Sequence, residues 1–132
     1  MRFELIDEVL EQSPERIVAV KHVTLAEEYL GDHFPGYPIL PGVLMLEAMV
    51  QAARRLLAGR SPDRLVLGSV RALKYGAMVR PGDVLRVEVT ASDADGEAFA
   101  CRGTGTVIHD PTGAGSTETA VSGRFTMRPV RC

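Results

Sequence analysis

The chain has 132 residues, 45% hydrophobic and 24% charged, with a formal net charge of −2. That is enough for one domain with a real core, and the charge balance gives no reason to expect nucleic acid or a membrane surface as partner. The longest apolar stretch, Ile39 to Ala53, is broken by Pro41, Gly42, Glu47 and Gln51, so nothing here is suited to spanning a bilayer. The opening MRFELIDEVLEQ holds acids where a signal peptide needs an apolar run. Cys101 and Cys132 lack CxxC spacing and form neither a disulfide framework nor a zinc signature. A single domain over residues 1–132, located in the cytoplasm, is the expectation.

Residues 7 to 12 and 16 to 24 are β-prone runs around Ser13-Pro14-Glu15 and read as a hairpin. Leu25 to Leu30 predicts a short helix, with Thr24 and Glu27 spaced as a capping box and Gly31 ending it. A proline-rich connector follows, with Pro35, Pro38 and Pro41 each fixing φ and removing a donor. The pattern then predicts a helix from Gly42 to about Ala58, apolar on nearly all sides and therefore surrounded by protein. Beyond the Ser61-Pro62-Asp63 turn, Leu65 to Tyr75 is strand-like but interrupted by Gly68. Arg80-Pro81-Gly82-Asp83 predicts a turn, and Val84 to Ala91 alternates as a half-buried strand. Two further strands, Ala98 to His109 and Thr117 to Arg128, are set off by turn signals at Asp93 to Gly96 and Pro111 to Gly115. Leu65 onward thus reads as a four-strand meander. Strands flanking one helix without βαβ repetition predict an α+β fold, an antiparallel sheet curled around that helix.

Chemistry concentrates where the connector meets the long helix. His33 can take or give a proton near neutrality. Glu47 is a carboxylate in an apolar helix and needs polar partners or a shifted proton affinity. Gln51, four residues on, is its natural partner. At Gly42 the first helical amides have no intrahelical acceptor and can hold an oxyanion. Together these groups suggest proton abstraction α to a carbonyl. His22 and His109 read as structural or solvated, and no pair of histidines has metal-ligand spacing, so no metal is expected.

The run His33-Phe34-Pro35-Gly36, then Pro38, Pro41-Gly42-Val43, Leu46-Glu47-Ala48-Met49 and Gln51, resembles the active-site segment of the bacterial (3R)-hydroxyacyl-[acyl-carrier-protein] dehydratases of the FabZ type. Arg16 to Thr24 is similar to that family's second strand, and Arg80-Pro81-Gly82-Asp83 to its V-P-G-D turn. The resemblance implies a hot-dog fold, a curled antiparallel sheet wrapped around one long central helix. It implies homodimers, often assembled into hexamers, and a 3-hydroxyacyl thioester substrate on acyl carrier protein or CoA. In that scheme His33 takes the C2 proton, while Glu47 of the other subunit helps the C3 hydroxyl leave as water. Gly42, Val43 and Gln51 are the candidate substrate-binding residues, and no metal or organic cofactor is required. Alternatives within the fold are an acyl-CoA thioesterase or hydratase, or a non-catalytic acyl-binding subunit. One departure is Tyr75-Gly76-Ala77-Met78, which stands where the family commonly has F-K-R-P and removes charge expected to meet a carrier protein. Arg54, Arg55, Arg60, Arg71, Lys74 and Arg80 are candidate replacements for that charge or simply solvated.

Overall fold

The computed structural model describes residues 4–24, 40–61, 64–95, 98–109 and 117–130, without the side chains of 93–95. The short helix expected at 25–30, the loop with His33, Pro35 and Pro38, and the turn at 111–115 lie outside the described residues.

The first two runs form a hairpin, β1 (Glu8–Gln12) against β2 (Arg16–His22), closed by Ser13 N donating to Arg16 O at 2.8 Å. The helix α1 covers Gly42–Leu57, and β3 covers Leu65–Tyr75 as the sequence predicts. The strand β4 (Val84–Asp95) runs four residues beyond its expected end, because a register shift between Ala91 and Ala94 carries the pairing on to β5 (Ala98–Ile108). Last comes β6 (Thr117–Pro129). The turn at 80–83 closes with Asp83 N on Arg80 O at 2.9 Å.

All six strands form one antiparallel sheet in the order β1-β2-β4-β5-β6-β3. The expected meander therefore holds only for β4, β5 and β6, and β3 crosses to the far edge beside β6. Burial explains the correction. Five consecutive residues of β2, Ile17 to Lys21, are buried and need neighbours along both edges, whereas Gly68 to Ala72 of β3 are exposed and suit an edge.

Alternation gives the sheet one dry face, with Leu85, Val87 and Val89 on β4 and Cys101, Gly103 and Val107 on β5 all buried. The helix lays Met45, Ala48, Met49, Ala52, Ala53 and Leu56 on that face, a stripe at i, i+3, i+4, i+7, i+8 and i+11. It seats deeply because Gly103 has no side chain. A Cβ there would stand 2.5 Å from Met49 Sδ and 3.3 Å from Phe125 Cε1. Burial of Cys101 in the same layer pushes its thiol up to about 11, consistent with the expected role as a small strand residue.

His109 ties three elements together at the sheet's end. Its Nδ1 lies 3.1 Å from Asp83 Oδ1 and its Nε2 lies 3.0 Å from Glu118 Oε2. The hydrogen bond to Glu118, followed by that to Asp83, raises the imidazole pKa above its ordinary 6.5. A raised folded-state pKa contributes stability in full below the unfolded value and loses it as pH climbs through the folded one. Thermal melts of the wild type and His109→Gln should therefore differ most between about pH 5 and 6.5 and converge at alkaline pH; a gap that widens with pH would contradict the bridge. Gly103→Val should cost about 1–3 kcal/mol by overpacking against Met49, read from urea denaturation midpoints.

Candidate active site

Among the described residues, no side chain caps the N-terminus of α1. Pro41 occupies the cap position with φ −60° and ψ 141°, it supplies no side-chain acceptor, and the first turn carries no acid. Leu44 N donates to Pro41 O at 3.0 Å and Met45 N to the same oxygen at 3.3 Å. That leaves the amides of Gly42 and Val43 without an acceptor among the described residues, at the positive end of the helix dipole. Glu47 is too far along to neutralise it, since the dipole's effect fades within the first turn.

Val43, Glu47 and Gln51 stand at i, i+4 and i+8 and form a stripe that the sheet does not cover. Val43 is 67% exposed, and Glu47 and Gln51 are half-buried. The composition predicts a helix surrounded by protein; among the described residues, nothing covers this wall. Gln51 Nε2 donates to Glu47 Oε1 at 3.3 Å, and Gln51 Oε1 accepts from Leu5 N at 2.8 Å. Leu5 is buried, so its amide fixes which end of the Gln51 side chain faces Glu47. The carboxylate is therefore oriented by the fold and has the polar partner the sequence required.

Tyr75 joins this corner although sequence reasoning gave it no role. A Cβ on Gly42 would stand 2.9 Å from Tyr75 Cε1, so the ring lies across the helix start. Burial raises its phenol pKa. Two one-residue bulges put it there. Along β3, Leu67 faces Met127 and Val70 faces Phe125; then Arg71 faces Arg124 and Lys74 faces Ser122. Each step uses three residues against two, which reverses the inside–outside alternation. The second reversal falls at Ala72, whose φ of 52° is left-handed, and it brings Tyr75 to the inner face opposite Val121. The only local hint in the sequence is Gly68.

The displaced basic pair also has a geometric cause. A Cβ on Gly76 would stand 2.4 Å from Thr119 O, and Gly76 N donates to Ala120 O at 2.8 Å. This backbone leaves position 76 no room for a lysine. Among the candidate replacement cations, Arg54 donates Nε to Leu65 O at 3.1 Å, and Arg60 donates to Pro14 O and Ser92 O while lying over Phe99. Both serve the fold. His33 lies outside the described residues.

A family model described as ApeI-like, ApeI dehydratase, matches residues 9–110. The chain belongs to the ApeI-like dehydratase family. Among curated relatives of this ApeI-like chain, the 3-hydroxyacyl-[acyl-carrier-protein] dehydratase FabZ of Koribacter versatilis is 42% identical over 107 residues, covering 72% of this chain and 69% of that one. FabZ of Oenococcus oeni is 46% identical over 93 residues, covering 65% of each chain. FabZ of Geobacter metallireducens is 43% identical over 96 residues, 68% of this chain and 64% of that one. The chain thus spans about two thirds of the length of these relatives. Among solved structures, the dehydratase heterocomplex ApeI:P from Xenorhabdus doucetiae superposes with a TM-score of 0.69 at 17% identity, covering 96% of this chain and 99% of that one. An acyl-CoA hydrolase from Agrobacterium tumefaciens gives 0.69 at 15% identity, covering 93% and 46%. These two likenesses concern the fold, which is the hot dog expected from the sequence: among the described residues, a long helix against a curled six-stranded antiparallel sheet.

Gln51→Leu should remove the acceptor of the buried Leu5 amide and cost about 1–3 kcal/mol, seen as a lower urea midpoint. An unchanged midpoint would show that water replaces Gln51.

Proposed function

We propose that this ApeI-like protein eliminates water from a (3R)-3-hydroxyacyl thioester to give a trans-2-enoyl thioester in acyl-chain biosynthesis. The substrate would be carried on an acyl carrier protein or coenzyme A, and the setting would be cytoplasmic. His33 takes the C2 proton, an assignment that rests on its place in the His33-Phe34-Pro35-Gly36 motif. The electron pair shifts onto the thioester oxygen, which accepts from the amide of Gly42 with Val43 beside it. As the pair returns to form the C2–C3 double bond, Glu47 gives its proton to the C3 hydroxyl, which leaves as water. Such an elimination moves only protons and one electron pair, so it needs no metal or organic cofactor.

The observation that carries this reading is the pair of amides at Gly42 and Val43 that no described residue caps, together with a carboxylate held by Gln51 on the same helix. One amide donor to a developing oxyanion typically supplies about 2.7–4 kcal/mol of transition-state stabilisation.

The uncovered stripe supports an obligate partner. Val43, Tyr75 and Met78 are large apolar side chains left about half or more exposed near the helix start, and among the described strands β3 offers a long free edge. A second copy of the chain, giving a homodimer that can build to a hexamer, is the proposed cover. Glu47 would then serve the partner's histidine. The Xenorhabdus structure is a dehydratase heterocomplex, which favours a related but different chain as the second reading; mass determination of the purified protein separates the two.

The activity is tested with crotonyl and 3-hydroxyacyl thioesters on carrier protein and on CoA, followed at the enoyl absorbance and for thiol release. His33→Ala and Glu47→Gln should each fold and lose at least about 10²-fold in turnover, the usual scale for general acid–base groups. Near-normal dehydration by either variant would overturn that residue's role, and thiol release without enoyl turnover would make the protein a thioesterase.

A further inference from the structure

The face of the sheet turned away from α1 carries a feature that dehydration does not use. Gly103 faces the helix, so its neighbour Arg102 faces outward. Register then aligns a single row across five strands: Arg16 on β2, Thr90 on β4, Arg102 on β5, Arg124 on β6 and Arg71 on β3. The two ends of that row differ. Arg16 is matched by Glu88 at 3.0 Å and Glu11 at 3.4 Å. Arg102, Arg124 and Arg71 are exposed and, among the described residues, none has a carboxylate partner. Like charges directly opposite one another on neighbouring strands oppose folding, and here three stand side by side in a chain whose net charge is −2.

An open concavity of about 510 Å³ lies over this row, bordered by Arg71, Arg102, Arg124 and the hydroxyl residues Ser69, Thr90 and Thr126, with Ala100, Cys101 and Phe125 contributing an apolar part. That volume lies in the range of small-molecule sites. One wall is shaped by the first bulge of β3. Thr126 Oγ1 accepts from Ser69 N at 2.9 Å and lies 3.1 Å from Ser69 Oγ. The approach is possible because residue 68 is glycine, where a Cβ would stand 2.5 Å from that same oxygen. The two hydroxyls hold two protons, and their mutual hydrogen bond uses one. The other is free for a further acceptor.

We propose that this concavity is a second binding site, one that takes a small molecule carrying two adjacent phosphoryl groups. Arginine presents its donors in a planar fork that fits phosphoryl oxygens two at a time. Neighbouring strands are about 4.8 Å apart, so the backbones of Arg102 and Arg71 flank Arg124 across roughly 10 Å. Three long side chains can converge from there on a diphosphate. The concave shape, with arginines and hydroxyls along its rim, favours such a ligand over the flat contact an acidic protein would make. The site is independent of the proposed dehydration, lying on the opposite face of the sheet from Gly42 and Glu47.

The test is calorimetric titration of the full chain with sodium pyrophosphate, ADP and orthophosphate at low ionic strength, where screening is weak. Pyrophosphate or ADP should bind once per chain and at least about tenfold tighter than orthophosphate, as expected when a second phosphoryl group is gripped by arginine. Arg124→Gln should weaken that binding at least about tenfold, with a melting temperature in the absence of anion that is equal or higher, because a like-charge contact has gone. Its enoyl-thioester turnover should match the wild type. Failure of both diphosphates to bind, or equal binding by Arg124→Gln, would overturn the proposal. So would polyglutamate binding to the row that pyrophosphate cannot displace, which would make it a protein-docking surface. Parallel loss of turnover in Arg124→Gln would assign the row to the dehydratase site instead.

Discussion

The seating of Met49 against the bare backbone of Gly103 is the contact on which the rest of the site depends. It sets how deeply α1 lies in the sheet and which of its faces is turned inward. With the Met45–Ala48–Met49–Ala52 stripe committed to the core, the 43–47–51 stripe can only face away from it. A residue at position 103 large enough to lift the helix would move the Gly42 and Val43 amides and the Glu47 carboxylate together, since all ride on one rigid element. Packing and chemistry are coupled here through helix geometry rather than through any direct bond between core and site.

The polar relay from Leu5 N through Gln51 to Glu47 adds a second constraint, on rotation of the carboxylate rather than position of the helix. The two work on different scales. Core packing places the helix, while one buried amide donor selects the orientation of a single side chain, because leaving that donor unsatisfied would cost more than the hydrogen bond itself contributes. The relay also links the N-terminal segment, distant in sequence, to the residue assigned to proton transfer.

Much of this was legible in the sequence because it follows local rules. Proline at 41 followed by glycine and an apolar run marked the helix start, and the spacing of Glu47 and Gln51 gave their hydrogen bond. The alternation in β4 gave its buried face. What escaped was non-local. Nothing in the run from Leu65 to Tyr75 says that it pairs with β6 rather than β4; that outcome turns on β2 demanding two neighbours and β3 tolerating one. The role of Tyr75 escaped for a related reason. A period-of-two reading from Leu67 that misses both bulges still places Tyr75 inside, but it assigns Val70 and Arg71 to the wrong faces and gives no sign that the strand is shifted toward Gly42. The environment of His33 lies outside the described residues, so its role still rests on the motif that contains it.

The same bulges that escaped the sequence reading connect the two faces of the sheet. The shift at Gly68 and Ser69 puts Val70 inward and Arg71 outward, level with Arg124. The shift at Ala72 then restores Tyr75 to the inner face beside Gly42. A residue in the left-handed region without being glycine carries a conformational cost, and such a cost persists where the surrounding structure over-determines it. The ladder to β6 on either side of Ala72 supplies that here, pairing Arg71 with Arg124 on the outer face and Tyr75 with Val121 on the inner one. With the pairing on either side of it fixed, an unbulged strand could satisfy one of these and not the other, because four residues apart means the same face. The bulge at Ala72 is therefore the device that lets β3 serve the helix start on one side of the sheet and the arginine row on the other.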